Sequence, residues 1–94
     1  MATVMSMHWA GVSKAQYEEV RESIRMETSP PPGLKFHLAW FAQDGMHVVD
    51  LWNSPQDFDH FFEKTLGPAV RDARIQGKPQ TAMAEAHNVF APNI

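Results

Sequence analysis

The spacing of apolar and polar positions predicts that the chain begins with a strand and a helix. In the strand, residues 4–10, alternate side chains fall on opposite faces. One face carries Val4, Ser6 and His8, and the other carries Met5, Met7 and Trp9. Ser13 begins the helix, because Ser13 and Gln16 have the spacing of a capping box. Its narrow apolar stripe consists of Tyr17, Val20 and Ile24. The proline-rich segment 30–33 cannot continue a helix, so this one ends by Ser29.

The next stretch, residues 34–52 (LKFHLAWFAQDGMHVVDLW), has the pattern of a β-hairpin. Asp-Gly is a strong signal for a two-residue type I′ turn, which places the turn at Asp44 and Gly45. His37 would then lie opposite Trp52, and Ala39 opposite Asp50. In this register one face carries His37, Ala39, Phe41, Val48, Asp50 and Trp52, and the other carries Phe36, Leu38, Trp40, Val49 and Leu51. A three-residue loop would shift the pairing by one position and break these matches.

A second helix and a last strand complete the pattern. Ser54 as N-cap, Pro55 at the first helical position and Asp57 in the first turn predict the start of the helix. Its buried stripe is expected to contain Phe58, Phe61, Phe62, Thr65 and Leu66, with an interruption at residues 67–68 (Gly-Pro). The last strand is predicted over residues 81–90. The order βαββαβ is that of an α+β, ferredoxin-like fold with an antiparallel sheet, formed by residues 1–94 as a single domain.

The small size of the domain favours self-association. The chain has 94 residues, of which 44% are hydrophobic and 11% aromatic, and it has no cysteine. A domain of this size buries only roughly 60–65% of the surface that its unfolded chain exposes, and disulfides cannot compensate here. We therefore expect a homodimer.

Charge and hydropathy exclude several classes of partner. The net charge is −3, and lysine and arginine are scattered singly, without the basic stripe that nucleic-acid binding requires. The N-terminus lacks the basic and apolar regions of a signal peptide, and no segment approaches the roughly 18–20 apolar residues of a membrane span. The sequence predicts a cytoplasmic protein with no nucleic-acid or membrane partner.

Several segments resemble the dimeric α+β barrel superfamily, in particular the small proteins grouped with the antibiotic-biosynthesis monooxygenases. They are residues 32–34 (PGL) before the second strand, residues 48–54 (VVDLWNS) leading into a helix with three phenylalanines, and residues 87–88 (His-Asn) near the end. The resemblance covers about residues 4–92. It implies two ferredoxin-like subunits that join their sheets into a barrel, each with its own cavity between sheet and helices.

The resemblance also implies a range of activities. Better-known members oxidise aromatic polyketide or quinol-like substrates with dioxygen and without metal or flavin, others degrade haem, and more distant relatives cyclise polyketides. The haem-degrading branch uses an Asn on strand one, a Trp on helix two and a His at the end of that helix. Here strand one offers Ser6 and His8, helix two has Phe61, and residues 71–72 (Arg-Asp) follow it. The sequence therefore argues against haem degradation.

His37 and Asp50 are the candidate catalytic residues. A carboxylate beside an imidazole fixes its tautomer, which suits the imidazole to act as a general base on a phenolic or enolic proton. The same pair could equally satisfy two buried polar groups and have no other role. Trp52 would stack on a planar substrate, or else belong to the core.

Further candidates for substrate binding are His8, Phe41, Phe61, Phe62 and His87. The three phenylalanines suit an apolar cavity, which is built from the same residue types as a core. His8, His37, His87 and Asp50 together could hold a divalent metal, but no known metal spacing is present, and we expect neither a metal nor another cofactor. The sequence also lacks a nucleophile elbow, a phosphate loop and a dinucleotide fingerprint.

These patterns favour a small, cofactor-independent enzyme of secondary metabolism that acts on an aromatic or polyketide-like substrate. Our leading hypothesis is monooxygenation, in which His37 removes a proton and the resulting anion reduces dioxygen. A cyclase or isomerase that uses the same base is one alternative. A non-catalytic, ligand-binding dimeric module is the other.

Overall fold

The computed structural model describes residues 2–94, which fold as a four-stranded sheet with helices on one face. The elements are β1 (Thr3–Trp9), α1 (Lys14–Ser23), β2 (Leu34–Ala42), β3 (Gly45–Trp52), α2 (Pro55–Phe61), a π-helical turn (Phe62–Leu66), α3 (Gly67–Asp72) and β4 (Gln80–Glu85). The strand order is β2-β3-β1-β4 and every neighbouring pair is antiparallel. This confirms the predicted ferredoxin-like α+β fold.

Both main helices begin at the predicted caps. The Ser13 hydroxyl accepts a hydrogen bond from the Gln16 backbone N–H at 3.1 Å, and the Gln16 side chain accepts one from the Ser13 N–H at 3.0 Å. The Ser54 hydroxyl accepts from the Asp57 N–H at 3.2 Å, with Pro55 in the first helical turn. These bonds satisfy backbone donors that have no partner within the helix.

The predicted position of the hairpin turn is wrong by one residue. The turn consists of residues 43–44, and the closing pair is Ala42 with Gly45. Gly45 has φ +116°, and a Cβ at this position would lie 2.5 Å from Ala10 Cα. The glycine is thus required at the first position of β3, where the strand passes close to the end of β1, and not in the turn.

The new turn position shifts the register by two residues. His37 lies opposite Asp50, and Ala39 lies opposite Val48, instead of the predicted partners Trp52 and Asp50. Because side chains alternate with a period of two, a shift of two residues leaves each side chain on its predicted face. His37 and Asp50 therefore share the face that carries the helices.

The helical segment does not break at Gly67, where the sequence predicts an interruption. Pro68 has no backbone N–H and cannot donate to the carbonyl four residues earlier. The chain adapts with the π-helical turn, in which the Gly67 N–H reaches back to the Phe62 carbonyl. The helix then continues as α3, with Pro68 in its first turn.

The last strand is shorter than predicted. β4 ends at Glu85, which pairs with Thr3 at the start of β1. Beyond that point the Ala86 N–H reaches the Ala2 carbonyl at 2.8 Å, and among residues 2–94 the pairing with β1 ends there. The predicted extension to residue 90 is therefore wrong, and Phe90 is 81% exposed.

The core lies between the sheet and the helices. It contains Met5, Met7, Trp9, Val12, Met46, Val48, Trp52, Phe58 and Phe61. The opposite face of the sheet, which we call the outer face, carries no helix. On it Leu38 is 49% exposed and Trp40 44% exposed. Within residues 2–94, no helix is both long and apolar enough to cross a membrane.

Candidate functional site

An apolar cavity of about 80 Å³ lies between the sheet and the helices. Its walls are formed mainly by methionine, valine and phenylalanine side chains, among them Met5, Met7, Val48, Phe58 and Phe61. Side chains from α1 and from the segment after α2 close the other sides. Four polar residues, Tyr17, Arg21, His37 and Asp50, also reach this cavity.

His37 and Asp50 form a close hydrogen-bonded pair at one wall of the cavity. They are direct cross-strand partners on β2 and β3, so their side chains leave the sheet side by side. His37 Nδ1 lies 2.6 Å from Asp50 Oδ1. An ionised carboxylate only accepts hydrogen bonds, so the imidazole carries its hydrogen on Nδ1 and leaves the lone pair of Nε2 free to accept.

The partner of His37 Nε2 is the hydroxyl of Tyr17, at 2.8 Å. Tyr17 stands on α1 and also makes an edge-on contact with Phe41, with ring centroids 6.1 Å apart. Partial burial raises the pKa of Tyr17 above its ordinary value of 10.0, against an opposing effect of the nearby Arg21 charge. The hydroxyl therefore stays protonated at neutral pH and can donate to His37.

Trp52 contacts Asp50 from the core. Its indole N–H donates to Asp50 Oδ2 at 3.1 Å, so both carboxylate oxygens of Asp50 are paired, as a carboxylate that is only 4% exposed requires. We call Tyr17, His37, Asp50 and Trp52 the polar network. It runs from the fully buried Trp52 ring to the Tyr17 hydroxyl at the cavity.

Trp52 lies in the core, which is the alternative that the sequence leaves open. Its ring is 0% exposed and is packed between Phe58, at a centroid distance of 5.7 Å, and Phe61, at 5.5 Å. It does not line the cavity. Trp52 supports Asp50 from the core.

The three candidate phenylalanines have different positions. Phe61 lines the cavity. Phe41 lies on the predicted face of β2 but contacts Tyr17 at the margin. Phe62 packs against Phe58, with centroids 5.9 Å apart, behind the cavity wall. Of the three, Phe61 is the one placed to touch a ligand.

The two remaining candidates, His8 and His87, lie outside the cavity. His8 occupies the outer face of the sheet, as the alternation of β1 predicts, and contacts Asp44 and His47 there. His87 is exposed beyond the end of β4. Neither residue lines this cavity, and within the described residues His8, His37, His87 and Asp50 are not brought together as a metal set.

Sequence reasoning missed Tyr17 as part of this site. It assigned Tyr17 to the apolar stripe of the first helix, which is where the ring packs. The available signal was the phenol itself, since a tyrosine whose ring faces a core usually finds a partner for its hydroxyl.

Comparison with solved structures shows that the fold is shared with a cofactor-independent oxygenase and with a dimeric ferredoxin-like protein. SnoaB, a cofactor-independent oxygenase from Streptomyces nogalater, superposes with a TM-score of 0.64 at 15% identity over 95% of each chain. A Caulobacter crescentus protein provisionally assigned as an antibiotic biosynthesis monooxygenase gives 0.65 at 16% identity, over 93% of this chain and 90% of that one.

A third structure, a dimeric ferredoxin-like protein of unknown function from Thermobifida fusca, gives a TM-score of 0.61 at 14% identity, over 92% of each chain. No family model matches the sequence, and no curated protein matches it either. At these identities the likeness establishes a shared fold. It confirms the predicted ferredoxin-like fold, which SnoaB and the Caulobacter crescentus protein share.

Proposed function

We propose that the protein is a small, cofactor-independent enzyme that removes a proton from an aromatic or polyketide-like substrate and lets the resulting anion react with dioxygen. The observation that carries this proposal is the polar network, which presents the Nε2 side of His37 to a mainly apolar cavity. Asp50 fixes the imidazole in the tautomer that a general base needs. The oxygenase SnoaB, which shares the fold, supports this reaction class.

The reaction would proceed by deprotonation and then oxidation. His37 Nε2 accepts a proton from an acidic methylene or phenol of the substrate, which takes the place of the Tyr17 hydroxyl. The carbanion or enolate gives one electron to dioxygen, and the two radicals combine to form a C–O bond. The peroxide takes up the proton and loses water, so that a methylene and one dioxygen become a carbonyl and one water.

The Tyr17 hydroxyl would stabilise the anion, in surroundings that strengthen this interaction. The apolar walls exclude water, which strengthens every electrostatic interaction inside the cavity. The displaced Tyr17 hydroxyl remains close and, since burial raises its pKa, it is a hydrogen-bond donor at neutral pH. We assign it the role of stabilising the oxygen of the enolate.

The cavity must widen to hold such a substrate. Its volume of about 80 Å³ is smaller than the roughly 150 Å³ of an apolar cavity that binds benzene. Leu66 from the π-helical turn and Val70 from α3 form one of its walls. Neither the turn nor α3 contains a buried residue, so this wall is the one that moves at least cost.

A homodimer is part of the proposal. The outer face exposes Leu38 and Trp40, and the ferredoxin-like protein from Thermobifida fusca is dimeric. Joining two outer faces would bury this apolar surface, as expected for a domain of this size.

A cyclase or isomerase is the second candidate. A base and a protonated phenol 2.8 Å apart can remove a proton at one atom and return it at another without oxygen. This hydrogen bond is the observation that favours the alternative.

The test is a panel of anthrones, quinols and linear polyketide mimics, incubated with the wild type and analysed by mass spectrometry in air and under anaerobic conditions. A product that gains oxygen only in air supports the oxygenase, and turnover without oxygen supports the cyclase or isomerase. His37→Ala is expected to lower the rate about 10²–10⁴-fold, while His60→Ala, an exposed histidine on α2, leaves it unchanged. Binding of these compounds without turnover under either condition refutes an enzymatic role with this panel of substrates.

A further inference from the structure

Two histidines and an aspartate converge on the outer face, at the end of the sheet where the hairpin turns. His8 on β1 and His47 on β3 are direct cross-strand partners, and Asp44 belongs to the turn that precedes β3. One side-chain ligand atom from each of the three lies within 4.8 Å of the others. This cluster is separate from the polar network, which occupies the opposite face.

We propose that His8, Asp44 and His47 form a binding site for a divalent transition-metal ion of the zinc type. The site shares no residue with the polar network, but it lies on the outer face, which the proposed homodimer would use as its contact surface.

The distances in the cluster already approach those of a metal site. His47 Nε2 lies 2.7 Å from Asp44 Oδ1, and His8 Nε2 lies 3.6 Å from Asp44 Oδ2. Two ligand atoms at about 2.0–2.1 Å from one tetrahedral zinc ion are roughly 3.3 Å apart. Side-chain rotations would therefore bring the three ligand atoms around one ion.

The two imidazoles are held together by stacking before any metal arrives. The rings of His8 and His47 are stacked at a centroid distance of 4.6 Å. On its other side, His47 is stacked on the indole of Trp40 at 5.1 Å. Because Trp40 is also the cross-strand partner of His47 on β2, the sheet itself fixes this row of rings. The stack holds the two rings next to each other, but each Nε2 lone pair lies in the plane of its ring, so one ring must rotate out of the stack for both nitrogens to face one ion.

The type and number of ligands select the class of ion. Imidazole nitrogen suits zinc, copper and nickel, whereas calcium and magnesium prefer six or more oxygen ligands. Catalytic zinc sites have three protein ligands and an open fourth position, and this cluster also offers three protein ligands. The cluster opens into a groove of about 300 Å³ whose lining includes Gln80, so water or another group has room to bind as the fourth ligand.

The present hydrogen bonds also identify what the ion would replace. His8 Nε2 lies 2.7 Å from the backbone carbonyl of Asp44, and His47 Nε2 is paired with the Asp44 carboxylate. Both ring nitrogens therefore act as donors toward the same residue. An ion would take the place of these two hydrogens, with both imidazoles bound through the Nε2 lone pair.

The test is calorimetric titration of tag-free protein with zinc chloride. We expect one ion per chain. His8→Ala and His47→Ala should each bind zinc at least about tenfold more weakly, because removing even a residue that only supports a metal ligand weakens binding about tenfold or more. Asp44→Asn should weaken binding as well. His60→Ala removes an exposed histidine elsewhere and should bind zinc like the wild type. Circular dichroism of each variant verifies its fold.

A second measurement needs no substitution. On addition of zinc, the imidazole ¹⁵N resonances of two of the five histidines should move to positions typical of metal-bound rings, and assignment should identify them as His8 and His47. The proposal is overturned if the wild type shows no saturable binding up to millimolar zinc. It is equally overturned if both His→Ala variants keep the wild-type affinity, or if other histidines respond in the spectra.

Discussion

Asp50→Asn is the substitution that tests the polar network most directly, because it keeps the size of the side chain and removes one acceptor. Asp50 accepts hydrogen bonds from His37 Nδ1 at 2.6 Å and from the Trp52 indole at 3.1 Å. An asparagine has one carbonyl oxygen, so its amide group must face one of these two N–H donors. Either one donor loses its partner, or His37 must move its hydrogen from Nδ1 to Nε2. In both cases the network loses its charged acceptor.

The cost follows from the burial of these groups. Trp52 is 0% exposed and residue 50 is 4% exposed, so water cannot replace the lost partner. A buried donor without an acceptor costs about 1–3 kcal/mol. For a domain of this length each kcal/mol corresponds to roughly 4–8 °C in melting temperature. Asp50→Asn is therefore expected to lower the free energy of unfolding by about 1–3 kcal/mol.

The assay is urea denaturation followed by tryptophan fluorescence and by circular dichroism, at one fixed protein concentration because dimerisation would shift the midpoint. Asp59→Asn, the same substitution at an exposed position on α2, is the matched control and should remain within about 0.5 kcal/mol of the wild type. The reasoning about the network is refuted if Asp50→Asn is as stable as Asp59→Asn.

Three further outcomes are expected. Burial raises the pKa of Tyr17, so the unfolded chain loses the phenol proton first and the free energy of unfolding falls as the pH rises above 10.0. Because Tyr17 is the single tyrosine, tyrosinate absorbance should titrate above 10.0, and Tyr17→Phe should lose less melting temperature over this pH range than the wild type. The same pH dependence of melting temperature in both proteins would contradict this. Leu38→Glu places a charge on the exposed outer face and should convert a dimer into a monomer in light scattering; a wild-type protein with the mass of a single chain would exclude the dimer. Gly45→Ala and Gly77→Ala both place an alanine at a positive φ, which costs about 1–3 kcal/mol. Only the Cβ at position 45 would also lie 2.5 Å from Ala10 Cα, so Gly45→Ala should unfold at a clearly lower urea concentration than Gly77→Ala. Equal urea midpoints for the two variants would be inconsistent with the close approach.

The fold could be predicted from the sequence because its signals are local. The Ser13 and Ser54 caps, the proline-rich segment before β2 and the alternation in β1 each act over a few residues, and all agree with the same βαββαβ order. Agreement between independent local signals is what allows a sequence to specify one topology.

The hairpin was harder to predict, because its register depends on a contact between distant residues. The Asp-Gly pair favours a turn at residues 44–45. The close approach of Gly45 to Ala10 instead fixes Gly45 as the first residue of β3. The two residues are far apart in the chain, so no local sequence pattern indicates this contact. The faces of His37 and Asp50 were nevertheless predicted correctly, since an error of two residues preserves the alternation.

The candidate site was predictable only in part, for the same reason. That His37 and Asp50 share a face follows from parity, and their direct pairing follows from the observed register. The contact of Tyr17 with His37 depends on how α1 crosses the sheet, which no local pattern determines. His87 was misplaced because the end of β4 depends on where β1 begins.

The polar network is costly for a domain of this size, and this cost bears on its purpose. A small domain has little stability in reserve, and a buried charged pair can often be replaced by apolar residues of similar volume without loss. Here the carboxylate of Asp50 is buried under an apolar core, and both of its oxygens are used to hold His37 and Trp52. The network continues through His37 Nε2 to the Tyr17 hydroxyl at the cavity. This bond satisfies two polar groups that would otherwise lack a partner. It also leaves an oriented imidazole and a protonated phenol at the cavity, which is the arrangement that the proposed proton transfer requires.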